Sequence, residues 1–549
     1  MQKKFVLGID FGTLSARALV VNAISGEELG DALSYYAHGV MDRFLPSGKS
    51  LAAGYALQHP RDYLDALGTV CREVIEKSGI SREEIAAIGI DFTSCTMLPV
   101  FSDNTPLCFF ERFSDNPHAY VKLWKHHGAQ AEADEINRLA EKTGKRWLGN
   151  YGGKVSSEWM HPKLLETLRR APEVFDEADA FIEAGDFVCR LLTGENRHSV
   201  SFAAYKALWN AEDGFPEDEF FTVLDPRLSG VYDSKLSREV LPVDSVFGYI
   251  NEKGSALTGL PEGVAVACPV IDAHAALPAL KVTGEGTLAL VLGTSGVQMI
   301  NSAKRLEIGG IGGLAKNAVV PGLYTYEAGQ ACFGDAFDWF AKNLVPAAYE
   351  EEARKSGMGI HEFLTEKAKR LEIGESGLVA LDWFGGNRST LNNADLSGLI
   401  LGLTLTTSPE EIYRAIIEAA VFGARAIMEN YEKGGFEIRE ITAGGGISRK
   451  NPFIMQMFSD VCGKPINISA SKNETCLGTA IFASVAAGIY PDIAAAAQKL
   501  GKVRSEVYIP NFENTVKYNR LYSEYIRLYE YFGNGELMKR LKNLQKQTL

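Results

Sequence analysis

The sequence predicts an α/β protein built from two similar domains that face each other across a ligand-binding cleft. Three observations predict it. At 549 residues the chain is longer than one hydrophobic core usually supports. Apolar strand-like runs alternate with stretches of helical spacing. The order of those elements in the first half also recurs in the second, as an internally duplicated α/β fold would have it. A boundary at 281–287 divides the chain into residues 1–283 and 284–549.

Residues 4–13, Lys-Phe-Val-Leu-Gly-Ile-Asp-Phe-Gly-Thr, read as a strand that ends in a Gly/Asp/Thr turn, and 15–21 as the strand returning from it. Over 62–78 the residues Tyr63, Leu64, Leu67, Val70, Cys71, Val74 and Ile75 fall on one helical face. The run 85–90 is a strand closing on Asp91-Phe92-Thr93-Ser94, and the apolar run 264–270 leads into Ile271-Asp272-Ala273-His274. The second half repeats the device. Residues 287–294 form a strand ending in Gly293-Thr294, and 297–300 a strand after it. An amphipathic helix covers 409–432, and 439–443 is a strand running into Gly444-Gly445-Gly446. The Ala- and Gly-rich stretch 474–488 predicts a helix lying close against a sheet, and the mildly basic tail 534–549 a surface helix.

The composition, 46% hydrophobic and 23% charged, is that of an ordinary soluble globular protein. Fifty-six Lys and Arg against 69 Asp and Glu give a net charge of −13, which argues against a nucleic-acid surface. An acidic protein still binds an anionic nucleotide where backbone N–H groups and a metal supply local positive potential. The eight cysteines form no C-x-x-C pair and predict reduced, buried thiols in a cytosolic protein. No cleavable leader precedes the first strand and no apolar run reaches the ~20 residues that span a bilayer. The expectation is a cytoplasmic protein without membrane or nucleic-acid partners. Nine histidines without ligand-like spacing, His126-His127 among them, argue against zinc.

Two motifs mislead. Gly48-Lys49-Ser50 resembles the end of a phosphate-binding loop, but Arg43 stands where its first glycine belongs. Gly310-Ile311-Gly312-Gly313 imitates a dinucleotide fingerprint with no helix pattern after it. The turn Gly8-Ile9-Asp10-Phe11-Gly12-Thr13 carries more: Gly12 admits a phosphate, Thr13 adds a hydroxyl, and Asp10 can hold a hydrated magnesium ion. Alone it reads more often as a plain hairpin; Gly293-Thr294 supplies the same device a second time. Gly444-Gly445-Gly446 suits close passage of a flat ligand such as adenine, with Asn451 at the helix start beyond it. Asp272, after an apolar run, is placed either to receive a proton from an acceptor hydroxyl or to cap a helix.

Asp10 with Gly12-Thr13, then Asp272, Gly293-Thr294 and Gly444-Gly445-Gly446, resemble the FGGY carbohydrate kinase family. Gly398 to Leu403 followed by Glu411-Ile412 and Ala415-Ile416-Ile417-Glu418 is similar to a signature of that family. The resemblance spans about 4–490 and implies two actin/hexokinase-like, ribonuclease H-like domains, the first mainly binding sugar and the second mainly ATP. It implies ATP and Mg2+ as cofactors, Asp272 as catalytic base and Asp10 as the metal residue. Gly12, Thr13, Gly293, Thr294, Gly444, Gly445, Gly446 and Asn451 would bind ATP.

Further segments resemble the branch of the family that phosphorylates L-ribulose in L-arabinose breakdown. They are His59-Pro60-Arg61-Asp62-Tyr63, Ser156-Ser157-Glu158-Trp159, Glu327-Ala328-Gly329-Gln330 with Phe333-Gly334-Asp335, Leu381-Asp382-Trp383-Phe384, and Phe422 to Glu429. By that resemblance Ser94, Lys206, Asp272 and Glu327 line the sugar. On their own, Lys206 would read as a surface lysine and Glu327 as a helix-end carboxylate. His126 stands where relatives carry the acid of a Trp-x-Asp motif, so it takes no substrate role here. The alternatives are a kinase of xylulose, ribitol or glycerol, or a non-catalytic sugar-sensing protein. A homodimer is an assembly that the sequence allows but does not specify.

Overall fold

A computed structural model describes residues 4–548. Its strands include β1 (Phe5–Phe11), β2 (Ser15–Asn22), β3 (Glu28–Tyr35), β4 (Ile85–Phe92), β5 (Val246–Tyr249), β6 (Ala265–Ala267) and β7 (Val270–Ile271). They continue with β8 (Thr287–Leu292), β9 (Gly296–Ser302), β10 (Tyr324–Gln330), β11 (Glu440–Gly444), β12 (Ile466–Ser469) and β13 (Val503–Tyr508). The helices that bear on the site are α1 (Pro60–Ser78), α2 (Met160–Arg170), α3 (Val200–Lys206), α4 (Asp272–Ala279), α5 (Gly334–Asn343), α6 (Pro409–Lys433), α7 (Pro452–Cys462), α8 (Glu474–Ala486) and α9 (Phe512–Asn534).

The chain divides into two units. Unit 1 comprises residues 1–283, 314–325 and 473–502, and unit 2 the segments 284–313, 326–472 and 503–549. The helix expected over 474–488 is α8. It clusters with unit 1 although it follows unit 2 in sequence.

In unit 1 the main sheet runs β5–β6–β4–β1–β2–β3, with β7 also on β4. β1 is central because six of its seven residues, FVLGIDF, are buried. It pairs antiparallel with β2 through the tight turn at 12–14 and parallel with β4. The register sets Asp10 opposite Asp91 and Phe11 opposite Phe92, and Val270 and Ile271 opposite Asp91 and Phe92 in turn. Three parallel strands therefore end side by side, where α/β sheets present ligands. Proline at its start, a His59 cap and Gly79 at its end delimit α1.

Unit 2 repeats this plan. Its sheet runs β10–β9–β8–β11–β12–β13. β8 pairs antiparallel with β9 and parallel with β11, which brings Val291 opposite Gly444. Ser408 and Glu411 form a capping box that starts α6 at Pro409. Four tyrosines of α9, Tyr518, Tyr522, Tyr525 and Tyr529, are buried, and the Tyr525 hydroxyl donates to Asp382 Oδ1 at 2.7 Å. Among the described residues no helix is long and apolar enough to cross a membrane.

Candidate functional site

In unit 1, the carboxyl ends of β1, β4 and β7 bring Asp10, Asp91 and Asp272 to one edge of the sheet. Asp10 is half-buried and accepts a hydrogen bond from Thr475 Oγ1 at 2.9 Å. Asp91 is wholly buried: Oδ2 accepts from Thr479 Oγ1 at 2.6 Å, and Oδ1 has no hydrogen-bond partner. Burial first, then the neighbouring Asp10 carboxylate, push the Asp91 carboxyl well above the usual range. Asp272 is the first residue of α4, half-buried, with Oδ1 accepting from the Ala273 N–H at 2.7 Å. The cap position of α4 is Ile271, which makes no side-chain cap bond, so Asp272 stands in the first turn as a carboxylate at the sheet edge.

The turn 12–14 is held by the Gly12 N–H donating to Ser15 O at 3.0 Å. That amide is therefore committed within the hairpin; Gly12 shapes the turn and leaves Thr13 to face outward. Thr13 is anchored twice, its carbonyl accepting from Gln58 Nε2 at 2.7 Å and its Oγ1 from Trp124 Nε1 at 3.1 Å.

Ser94 lies half-buried in the turn after β4, and Cys95 beside it has φ 55°. Lys206 ends α3 and is only 7% exposed, its ammonium 5.6 Å from the Trp159 ring and 5.9 Å from the Tyr205 ring. A lysine read as solvated is boxed between two aromatic rings. Behind it Glu183 is wholly buried with neither oxygen hydrogen-bonded, and burial pushes its carboxyl up to about 8. His126 is completely buried, facing Glu166 Oε2 at 3.0 Å, with Nδ1 accepting from the Ala56 N–H at 3.3 Å. It therefore belongs to the core network of Lys122 and Glu166.

Unit 2 contains a cavity of about 910 Å³, within the range of nucleotide-sized pockets. Gly293 and Thr294 of the β8–β9 turn, Gly446, and Asn451 line it together with Phe337, Thr365, Lys369, Tyr413 and Phe453. Gly444 ends β11 and Gly445 makes the corner into the cavity wall. Gly445 has φ 92°, and a Cβ there would stand 2.1 Å from Leu292 O, so only glycine passes. Asn451 caps α7, Oδ1 accepting from the Ile454 N–H at 3.1 Å, while Nδ2 donates to Thr365 Oγ1 at 3.4 Å. Glu327 lies within strand β10 of unit 2, half-buried; the helix-end position that its surroundings in sequence suggest is not what forms.

Of the predicted residues, Ser94, Lys206 and Asp272 belong to unit 1 with Asp10, Gly12 and Thr13, and Glu327 belongs to unit 2. The cavity gathers Gly293, Thr294, Gly446 and Asn451. Sequence reasoning did not single out Trp124, Gln58, Asp91 or Lys163 for roles at the site. Trp124 was visible within its quoted motif; the others give no local signal.

Among the described residues no three His, Cys, Asp or Glu side chains converge as metal ligands. The half-buried Asp10 carboxylate at the sheet edge fits magnesium, which keeps most of its waters and completes its shell on substrate phosphates.

Residues 5–278 match the model of the FGGY family of carbohydrate kinases, N-terminal domain, and 288–487 that of its C-terminal domain. A protein of Halalkalibacterium halodurans named ribulokinase is 45% identical over 552 residues, covering 99% of this chain and 98% of that one. The ribulokinase of Geobacillus thermodenitrificans is 44% identical over 550 residues, 99% of this chain and 97% of its own. Among solved structures, a xylulose kinase from Rhodospirillum rubrum superposes with TM-score 0.77 at 24% identity over 96% of this chain and 98% of that one. A gluconate kinase from Lactobacillus acidophilus gives 0.79 at 19% identity, covering 96% of this chain and 97% of that one; these two show the shared fold.

Proposed function

Since the chain belongs to the FGGY family of carbohydrate kinases, we propose that it transfers the γ-phosphoryl group of ATP to the terminal hydroxyl of L-ribulose. The products are L-ribulose 5-phosphate and ADP, an early step of L-arabinose breakdown in the cytoplasm. The observation that carries the chemistry is the half-buried Asp272 at the carboxyl edge of the unit 1 sheet, where β7 pairs with the end of β4 just before the Ser94 turn.

In this reading Asp272 orients the acceptor hydroxyl and receives its proton as the new O–P bond forms and the bond to the β-phosphate oxygen breaks. Lys206, fixed between Trp159 and Tyr205, donates to a sugar hydroxyl, as does the Ser94 Oγ. The nucleotide occupies the unit 2 cavity, its base near Asn451 and the Gly444-Gly445-Gly446 corner, its phosphates toward Gly293-Thr294. Within unit 1, Asp10 beside the Gly12-Thr13 turn is the residue that would hold magnesium. When bound, the metal supplies positive charge against the transferring phosphoryl group. Pre-set dipoles and alignment account for most of the barrier lowering.

The test is ADP release followed over L-ribulose, D-ribulose, D-xylulose, ribitol and glycerol. The expected result is the highest kcat/KM for L-ribulose and negligible ATP consumption without sugar. A clear preference for xylulose or a polyol overturns the substrate; sugar-independent ATPase activity overturns the kinase reading. The nucleotide assignment has its own check in Asn451→Ala. Losing a helix cap that also lines the cavity is expected to raise KM for ATP about 3–10-fold and to leave the sugar KM unchanged.

A further inference from the structure

Lys163 lies on α2 with its side chain wholly buried, yet it forms no ion pair among the described residues. Its Nζ donates instead to three main-chain carbonyls: Cys95 O at 2.5 Å, Leu123 O at 2.8 Å and Lys122 O at 3.5 Å. The next buried lysine behaves differently. Lys122 Nζ meets the Glu166 carboxylate at 2.7 Å, as a buried ammonium ordinarily does.

The acceptors explain the difference. Cys95 has φ 55°, a left-handed backbone that a non-glycine residue holds only when its surroundings impose it. It follows Ser94 directly. Leu123 precedes Trp124, whose indole N–H holds Thr13 Oγ1. Trp159, the residue that precedes this helix, stands against the Lys206 ammonium. One ammonium thus bonds both the segment that bears Ser94 and the segment that steadies Thr13, from a helix whose N-cap residue packs on Lys206.

We propose that Lys163 is a positioning residue of the sugar site, its ammonium fixing the Ser94–Cys95 turn against the Leu123–Trp124 segment. The proposal rests on the sugar-kinase reading given above. Lys163 touches no reacting atom; it acts through Ser94 and Trp124. The charged groups around it are Glu183, Glu158 and Lys122, with Cys95 beside its own contact. Burial draws its ammonium down to about 8, which marks how little compensating charge the site provides.

Lys163→Met keeps the stem and removes the donor. The expected result is a sugar KM raised about tenfold or more, with kcat within about threefold. Lys163→Gln, which retains two N–H donors on a shorter stem, is expected to fall between Met and the parent. An unchanged sugar KM in either soluble variant overturns the proposal. So does insolubility of both, since Lys163 would then be a determinant of folding and not of substrate geometry. The parent enzyme, assayed in parallel over the sugar panel, separates this from the function itself: if the parent phosphorylates no ketopentose, the reading of the site fails first.

Discussion

Asp272→Asn is expected to fold, to bind ATP with an affinity within about threefold of the parent, and to lose kcat by about 10²–10⁴-fold. The substitution is nearly isosteric, and the amide oxygen can still accept from the Ala273 N–H that Asp272 Oδ1 holds at 2.7 Å. The start of α4 is thereby preserved, along with its pairing through β7 to β4. What disappears is the negative charge and basicity with which the carboxylate takes the hydroxyl proton during transfer. The cavity of unit 2 contains no part of α4, so nucleotide binding reads folding independently of chemistry. Isothermal titration with ATP and steady-state kcat on the same preparation decide the matter. Turnover within about tenfold of the parent would remove Asp272 from the role of base. Asp272→Ala adds a useful contrast, because it also removes the side-chain bond to the Ala273 N–H.

Much of this arrangement was readable from sequence because it is local. A buried apolar strand followed by Gly-Thr and a returning strand encodes β1–β2, and the same pattern encodes β8–β9. The glycine run 444–446 announces a corner that tolerates no side chain, and Asn451 announces the helix cap beyond it. Long-range placement was not readable. Lys206 gives no hint in its own neighbourhood that Trp159 and Tyr205 will enclose its ammonium. Lys163 finds its carbonyls 68 and 40 residues away, and an ordinary helical lysine has no sequence mark for that. The surroundings of Glu327 suggested a helix end because the strand β10 forms only by pairing within its sheet. The segment 473–502 carries a readable helix, but which sheet it covers depends on contacts with strands more than 380 residues earlier, such as Thr479 on Asp91.

That same helix gives the second large effect. Gly478→Ala is expected to destabilise unit 1 by about 2–3 kcal/mol and to lower kcat about 10²-fold. A Cβ at Gly478 would stand 1.6 Å from Ala275 O and 2.6 Å from Ala275 C, both main-chain atoms of α4 that cannot rotate away. The gain in helix propensity from glycine to alanine is about 1 kcal/mol and is outweighed by that overlap. Relief requires α4 and α8 to separate. Asp272 lies three residues before Ala275 on the short helix α4, so the displacement reaches the carboxylate directly. On α8, Thr475 and Thr479 carry the hydroxyls that hold Asp10 and Asp91, so the opposite movement loosens these as well. Both ends of the shift fall on the acidic edge of the sheet and neither falls on the unit 2 cavity. Urea denaturation followed together with kcat and ATP affinity therefore distinguishes the outcomes. A variant with lowered midpoint and about 10²-fold lower kcat fits the tight α4–α8 contact as the support of Asp272. Parental kcat in the alanine variant would show that the carboxylate is positioned by β7 alone.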